Sequence, residues 1–456
     1  MFNSIYHGAQ MAKRHGDLFF AALLPEDRIR NAFGNAIEKV QSPIYPPGVL
    51  VWSFLSQVFS VDHGCRETVA RLIAFRVAAG LPPCSAETGA YCIARDKLPE
   101  AACENLVEQT GGDISRAAPE TWLWKGRRVR VADGTTCTMA DTPENQAEYP
   151  QLDSQRPGCG FPIVRMVVLF CLATGLALKM ALDKYAGKQT GEASLCRSLS
   201  AVLEPGNVLL GDRIFCGWFD VALQKQRGVE VVLRKHQGRK TDFRTGRRLG
   251  KEDHLITWNK PCRPEWMDQA TYDSLPEFII VRELRVRVAT PGFRTKEVLV
   301  ITTFEDPEQF TKDDLADLYR RRWQAELNLR SLKTVLQMDH LRCKKPHRVR
   351  NEIRMHLIGY NLLRGVMVEA AMQAGVQPWQ LSFKGTQQTV NEFLRVLHGT
   401  QDLAAWSESL LACVASHRVG NRQDRIEPRV RKRRAKNYPL MNQPRHAYKT
   451  PNGEKS

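Results

Sequence analysis

The chain has 456 residues, enough for about two to four domains rather than one small module. Apolar residues make up 43% and charged residues 25%, which excludes a mostly disordered chain, a collagen-like repeat and a small disulfide scaffold. The sign balance is unusual: 66 Lys and Arg against 49 Asp and Glu leave a formal charge of +17, which implies an anionic partner, nucleic acid or a membrane surface.

Residues 1–115 mix polar and apolar positions at helical spacing, as in Gly48–Val61 and Cys65–Ala79, with Pro46-Pro47 and Pro82-Pro83 as breaks. They predict a helical N-terminal domain. From residue 116 the pattern changes. Arg128–Ala132 alternates and leads into Asp133-Gly134, a strand ending in an acid. Val164–Leu172 and Leu176–Leu182 read as a hairpin about Ala173-Thr174-Gly175. A helix over Glu192–Leu203, a buried strand over Asn207–Leu210 ending in Gly211-Asp212-Arg213, a helix over Trp218–Gln226 and a strand over Glu230–Leu233 follow. Residues 236–310 interrupt this order with alternating runs, Phe278–Val288 and Glu297–Thr303, and predict a β-rich insertion. A long helix is expected over Asp313–Gln337, with Thr311 and Asp313-Asp314 as start signals. Arg350–Met372 and Val390–Ala415 are helical. The tail from Arg418, with Pro428, Pro439 and Pro444, is expected to be extended or disordered until bound. The class is α/β: a catalytic region over 116–235 and 311–375, the insertion between them, and a helical and basic C-terminal region over 376–456.

The charge is not spread evenly. Arg234–Lys251 carries +7, Tyr319–Arg350 carries +8 and Arg418–Lys449 carries +9, so everything else is net −7. One basic strip is readily a solvated face; three in an otherwise acidic chain favour phosphate binding. The most apolar stretch, Met166–Leu178, lies between Arg165 and Lys179 and falls short of the ~20 residues a membrane helix needs. Residues 1–16 hold no apolar signal run, and the twelve cysteines are scattered with no Cys-x-x-Cys. Cys84, Cys92 and Cys103 fit no common zinc spacing. The expectation is a cytoplasmic, nucleoid-associated protein with reduced thiols and no membrane contact, so nucleic acid is the better partner.

Asp133 and Asp212 each close a predicted buried strand beside a glycine, where side chains converge on a shared crevice and a ligand can approach. Two carboxylates there repel unless a cation joins them. Mg²⁺ prefers such oxygen ligands, and a third carboxylate would complete a two-metal site acting on a phosphodiester. The third candidate lies on the long helix. Tyr319, Arg322, Glu326 and Lys333 fall within about 60° of one another at ~100° per residue. One acid between two cations and a phenol makes a poor core face and a good metal-and-phosphate face; an exposed helix with ordinary ion pairs has the same spacing.

Tyr319-x2-Arg322-x3-Glu326-x6-Lys333 resembles, in full, the Y-x2-R-x3-E-x6-K signature of DDE transposases of the insertion-sequence-4 family, and Asp133 and Asp212 stand in the order that family shows. The resemblance covers Val129–Met367. It implies a ribonuclease-H-like catalytic core interrupted by the β-rich insertion. It implies that Asp133, Asp212 and Glu326 are catalytic and hold two Mg²⁺ (or Mn²⁺), and that Tyr319, Arg322 and Lys333 hold the DNA backbone. The partners implied are double-stranded DNA, both the element's terminal inverted repeats and the target, and a second copy of the chain in a synaptic complex. The N-terminal helices are the candidates for repeat recognition, without a clear helix-turn-helix signature. Further DNA contacts are Arg213, equally a charge partner of Asp212, and Lys344, Lys345 and Arg348, equally a solvated loop with His347. Trp258 and Trp266 either stack on a displaced base or pack within the insertion. Asp141, Asp183, Asp220 and Asp317 are weaker rivals for the metal. A nuclease of the same fold without strand transfer and a non-catalytic DNA-binding remnant are the alternatives; the intact six-residue set argues against the remnant.

Overall fold

The computed structural model describes residues 5–16, 18–40, 42–287, 297–420 and 439–448. Most of the third basic strip, and with it the expectation for the tail, lies outside the described residues. The chain is mixed α/β, a large mixed sheet with many helices.

Six helices come first: α1 (Ile5–His15), α2 (Glu26–Phe33), α3 (Pro47–Val58), α4 (Cys65–Ala78), α5 (Gly89–Asp96) and α6 (Glu100–Arg116). The α3 sequence, PGVLVWSFLSQV, is apolar almost all round, and α3 is accordingly buried on nearly every side. On α6, Gly111 lies so close to the Ala177 carbonyl that a Cβ there would collide with it, so α6 seats directly on the sheet.

The strands are β1 (Val129–Met139), β2 (Ile163–Cys171), β3 (Ala177–Lys184), β4 (Val208–Gly211), β5 (Glu230–Arg234), β6 (Arg247–Gly250), β7 (Asp253–Asn259), β8 (Phe278–Arg287), β9 (Glu297–Thr302) and β10 (His340–Leu341). The remaining helices are α7 (Pro143–Glu148), α8 (Glu192–Ser198), α9 (Trp218–Gln226), α10 (Gln269–Ser274), α11 (Lys312–Arg321), α12 (Trp323–Arg330), α13 (Pro346–Gln373), α14 (Phe383–Val396) and α15 (Leu403–Ser416). The strands form one sheet in the order β3-β2-β1-β4-β5-β9-β8-β7-β6, with β10 beside β1. The expected hairpin is β2 and β3, antiparallel to each other and to β1. β4 and β5 run parallel to β1, and α8 and α9 make the crossovers such pairing requires. Strands β9 to β6 extend the same sheet antiparallel from β5.

The sheet is covered on both faces, which is why β2 is apolar throughout except for Arg165. Val131, Val168, Phe170 and Leu210 face α13 and the N-terminal helices. Their neighbours Ala132, Val167, Leu169 and Leu209 face α8 and α9. This is the two-residue alternation of a strand.

Candidate active site

The site begins with a gap in the sheet. On one edge of β1, Val129–Val131 pair with β4 and Thr138–Met139 pair with β10. Between those partners the edge has no strand beside it, and a notch opens. Asp133 sits in that notch. It is the fifth of eleven residues in β1, which corrects the expectation that it ends its strand: the strand runs on because β2 pairs with it as far as Thr138. β4 does end where expected. Val131 is opposite Leu210, so Asp212, two residues on, stands level with Asp133 at the lip of the notch.

Burial pushes the Asp133 carboxyl up to about 6; Arg322 opposes the rise and Glu326 adds to it. Gly134 N–H donates to Asp133 Oδ1 at 3.1 Å. Asp212 Oδ1 is buried with no hydrogen-bond partner among the described residues. Such an atom is costly unless a ligand satisfies it.

The long helix arrives as two pieces and a widened turn. Thr311 and Asp314 form a capping box at the start of α11. The helix breaks at Arg322, resumes as α12, and Ser331–Val335 form a π-helical turn. This corrects the unbroken helix expected over Asp313–Gln337. Turns of that kind concentrate at functional sites. Arg322 Nη2 donates to Glu326 Oε1 at 2.7 Å. Burial pulls the Arg322 guanidinium down, but Tyr319, Glu326 and Asp212 more than offset it, and it stays charged. Burial pushes the Tyr319 hydroxyl up to about 12, Arg322 pulls against this and Asp212 adds to it. Arg322 is therefore the hub, acting on Asp133, Asp212, Glu326 and Tyr319. Lys333, in the π turn, reaches along β1 to the Thr136 carbonyl at 2.9 Å and to Asp339 at 2.9 Å.

Glu326 is near enough to Asp133 to raise its carboxyl, but the three acids do not close into a cage. Among the described residues, no three His, Cys, Asp or Glu side chains converge tightly enough to hold a metal ion. Glu326 is turned to Arg322 instead.

The other candidate contacts separate. Trp258 is 5% exposed, capped by the Arg239 guanidinium 4.0 Å from its ring. Trp266 packs edge-on against Phe219, with Arg197 4.0 Å over its ring. Of the two readings for the tryptophans, these contacts favour packing, for buried Trp258 more than for half-buried Trp266. Arg348, His347 and Lys345 converge on Asp96 at the end of α5, the latter two at 2.7 and 3.6 Å. They tie the N-terminal helices to the stretch after the π turn. Lys344 is exposed. Arg213 donates to Gln237 Oε1 at 2.6 Å rather than to Asp212. Of the rival acids, Asp220 pairs with Arg197 at 2.9 Å and Asp141 accepts from Gln146 at 2.8 Å. One acid escaped the sequence reading altogether. Glu192, at the start of α8, lies over Gly134; burial raises its carboxyl, Arg165 opposes and Asp212 adds. At the level of sequence it carries no signal beyond that of a helix start.

Residues 124–362, over half of the chain, match the model of a family described as the transposase DDE domain. The chain is 27% identical over 367 residues to the transposase InsG for insertion sequence element IS4 of Escherichia coli (strain K12), covering 76% of each. A shorter stretch of 76 residues, 17% of this chain and 19% of the relative, is 36% identical to the putative transposase InsL for insertion sequence element IS186A of the same organism. Among solved structures, a piggyBac transposase synaptic complex with hairpin DNA aligns over 85% of this chain and 84% of that one, at 9% identity and a TM-score of 0.42, a likeness too weak to bear on the fold.

Proposed function

The chain belongs to the DDE transposase family and is a DNA transposase, and on that premise we propose that Asp133, Asp212 and Glu326 are its catalytic carboxylates, acting on the ends of its own insertion sequence. The observation that carries this reading is the level placement of Asp133 and Asp212 in the notch with Arg322 acting on both. The order β3-β2-β1-β4-β5, with β2 antiparallel between its neighbours, supports a ribonuclease-H-like core.

The donors Asp133 and Asp212 fit a divalent cation, which we take to be Mg²⁺ or Mn²⁺ and to bind as two ions. The unsatisfied Asp212 Oδ1 and the raised Asp133 carboxyl are both relieved by positive charge. When bound, the metal supplies charge neutralisation and a polarised water at the scissile phosphate. Asp133 and Asp212 would hold it, with Glu326 once Arg322 engages phosphate. The Arg322 fork matches a phosphate and stays charged in its buried position. Tyr319 keeps its proton at neutral pH and donates a hydrogen bond to the backbone. Lys333 neutralises phosphate further along β1. The strips Arg234–Lys251 and Tyr319–Arg350 extend the contact along duplex DNA, both terminal repeat and target, and a second copy of the chain holds the second end.

The test is Mg²⁺-dependent cleavage of a DNA end bearing the element's terminal repeats. Asp133→Ala, Asp212→Ala and Glu326→Ala should each abolish it; wild-type cleavage by any of them would falsify that residue's assignment. A 3′-dideoxy end separates transposition from plain nuclease action: it should still be bound but should not be joined to target.

A further inference from the structure

We propose that Glu192 is a fourth carboxylate of the active site, binding the hydration shell of the divalent cation that Asp133 and Asp212 hold. This rests on the assignment of those two aspartates. The argument starts from direction. Successive residues of a strand point to opposite faces. Asp133 therefore points toward the α12 side and Gly134 toward the α8 side. Glu192, on the first turn of α8, fills the place of the missing Gly134 side chain. A Cβ built at Gly134 would stand 2.6 and 2.8 Å from the two Glu192 carboxylate oxygens. In the middle of a sheet this would leave the two acids on opposite sides of a wall. Here the edge of β1 between β4 and β10 is open, so groups from both faces reach one notch.

The environment of Glu192 is not that of a structural acid. Its carboxylate makes no hydrogen bond or ion pair among the described residues. Arg165, the counter-charge acting on it, gives its guanidinium to the Thr190 carbonyl at 2.9 Å and stacks on Tyr185 at 4.3 Å. Glu352 shows the contrast: its carboxylate is satisfied by the backbone N–H groups of Arg342 and Cys343 at 2.9–3.1 Å. A half-buried, unpaired carboxylate beside two others is unfavourable unless a cation is shared. Mg²⁺ keeps several of its waters when protein-bound. A carboxylate that does not converge on the ion, as none of these sets of three does, is suited to hold those waters.

The experiment measures Mn²⁺ binding to the full-length, DNA-free protein by titration calorimetry, and the half-saturating Mg²⁺ concentration for cleavage. Loss of an outer partner of this kind weakens metal affinity about tenfold or more. Glu192→Gln should therefore weaken Mn²⁺ binding about tenfold and raise half-saturating Mg²⁺ by the same factor, with cleavage largely recovered at saturating metal. Gly134→Ala, which displaces the Glu192 carboxylate, should reproduce that shift. An unchanged metal-free melting temperature for the isosteric Glu192→Gln separates this from lost packing. Wild-type Mn²⁺ affinity in Glu192→Gln overturns the proposal. If Asp133→Asn also binds Mn²⁺ normally and still cleaves, the underlying site assignment has failed; if Asp133→Asn is inactive, only the Glu192 proposal has.

Discussion

The two halves of the sheet treat buried charge differently. In the β6–β9 half the buried acids Asp253 and Glu283 have cationic partners, although Glu283 Oε1 and His254 Nε2 are left without a hydrogen bond among the described residues. Arg282 grips Asp253 through two hydrogen bonds of 2.8 and 2.6 Å, and Lys235 meets Glu283 at 2.8 Å with Thr241 on the same oxygen. In the β1–β5 half, Asp133 is pushed up to about 6 by burial, and among the described residues Asp212 has a buried oxygen with no hydrogen-bond partner and Glu192 makes no ion pair. Paired buried charge shapes a fold and is costly to break; unpaired buried charge is a standing demand for a ligand. One sheet holds both: Asp253 and Glu283 each have a basic partner, while among the described residues Asp133 and Asp212 have none within ion-pair distance.

The comparison can be broken or sharpened by experiment. The largest effect is expected from Asp212→Asn: cleavage should fall on the order of a thousandfold or more, while denaturant unfolding shows equal or higher stability. A large stability loss would mean that Asp212 is structural after all. Next is Arg282→Ala, which leaves Asp253 buried without its partner. It should cost about 3–5 kcal/mol in unfolding experiments; a cost under about 1 kcal/mol would remove the contrast between the halves. Third is pH. The Asp133 carboxyl titrates near 6 when folded against a usual 3.8, so the folded state holds the extra proton between those values. The contribution of Asp133 to metal-free stability should therefore be full below about pH 4, fall as pH rises to about 6, and stay level above, by on the order of 3 kcal/mol. Asp133→Asn should lack that fall, and Mg²⁺ should offset it. The smallest effect is expected from Arg348→Ala, which loosens the tie to Asp96 by at most about 1 kcal/mol. If Arg348 serves that tie, the salt slope of DNA binding stays the same. A slope reduced by about one unit would make it a phosphate contact instead.

The local features were legible. The β2–β3 hairpin, the end of β4 at Gly211 and the capping box at Thr311 follow from apolar runs, turn residues and start signals within a few positions. Tyr319, Arg322, Glu326 and Lys333 stood out as a signature through the resemblance; periodicity alone left them open to an ordinary exposed helix face. The break at Arg322 and the π turn at Ser331–Val335 were not, because ideal periodicity presumes an unbroken helix. For Trp258 packing was one of two readings; its burial depends on Arg239 and on the β7–β8 sheet around it.

By itself, the sequence determined which residue types could do chemistry, on which elements they ride, and that the basic charge gathers in strips around an acidic body. Tertiary structure alone decided which charges are spent on one another. Arg348 meets an aspartate 252 positions away and so ties two parts of the chain together. Glu192 makes no ion pair among the described residues, with Arg165 acting on it only at longer range, and stands over a glycine whose missing side chain makes room for it. Whether a charge is paired depends on packing across the whole chain, and that in turn decides whether it serves the fold or the ligand.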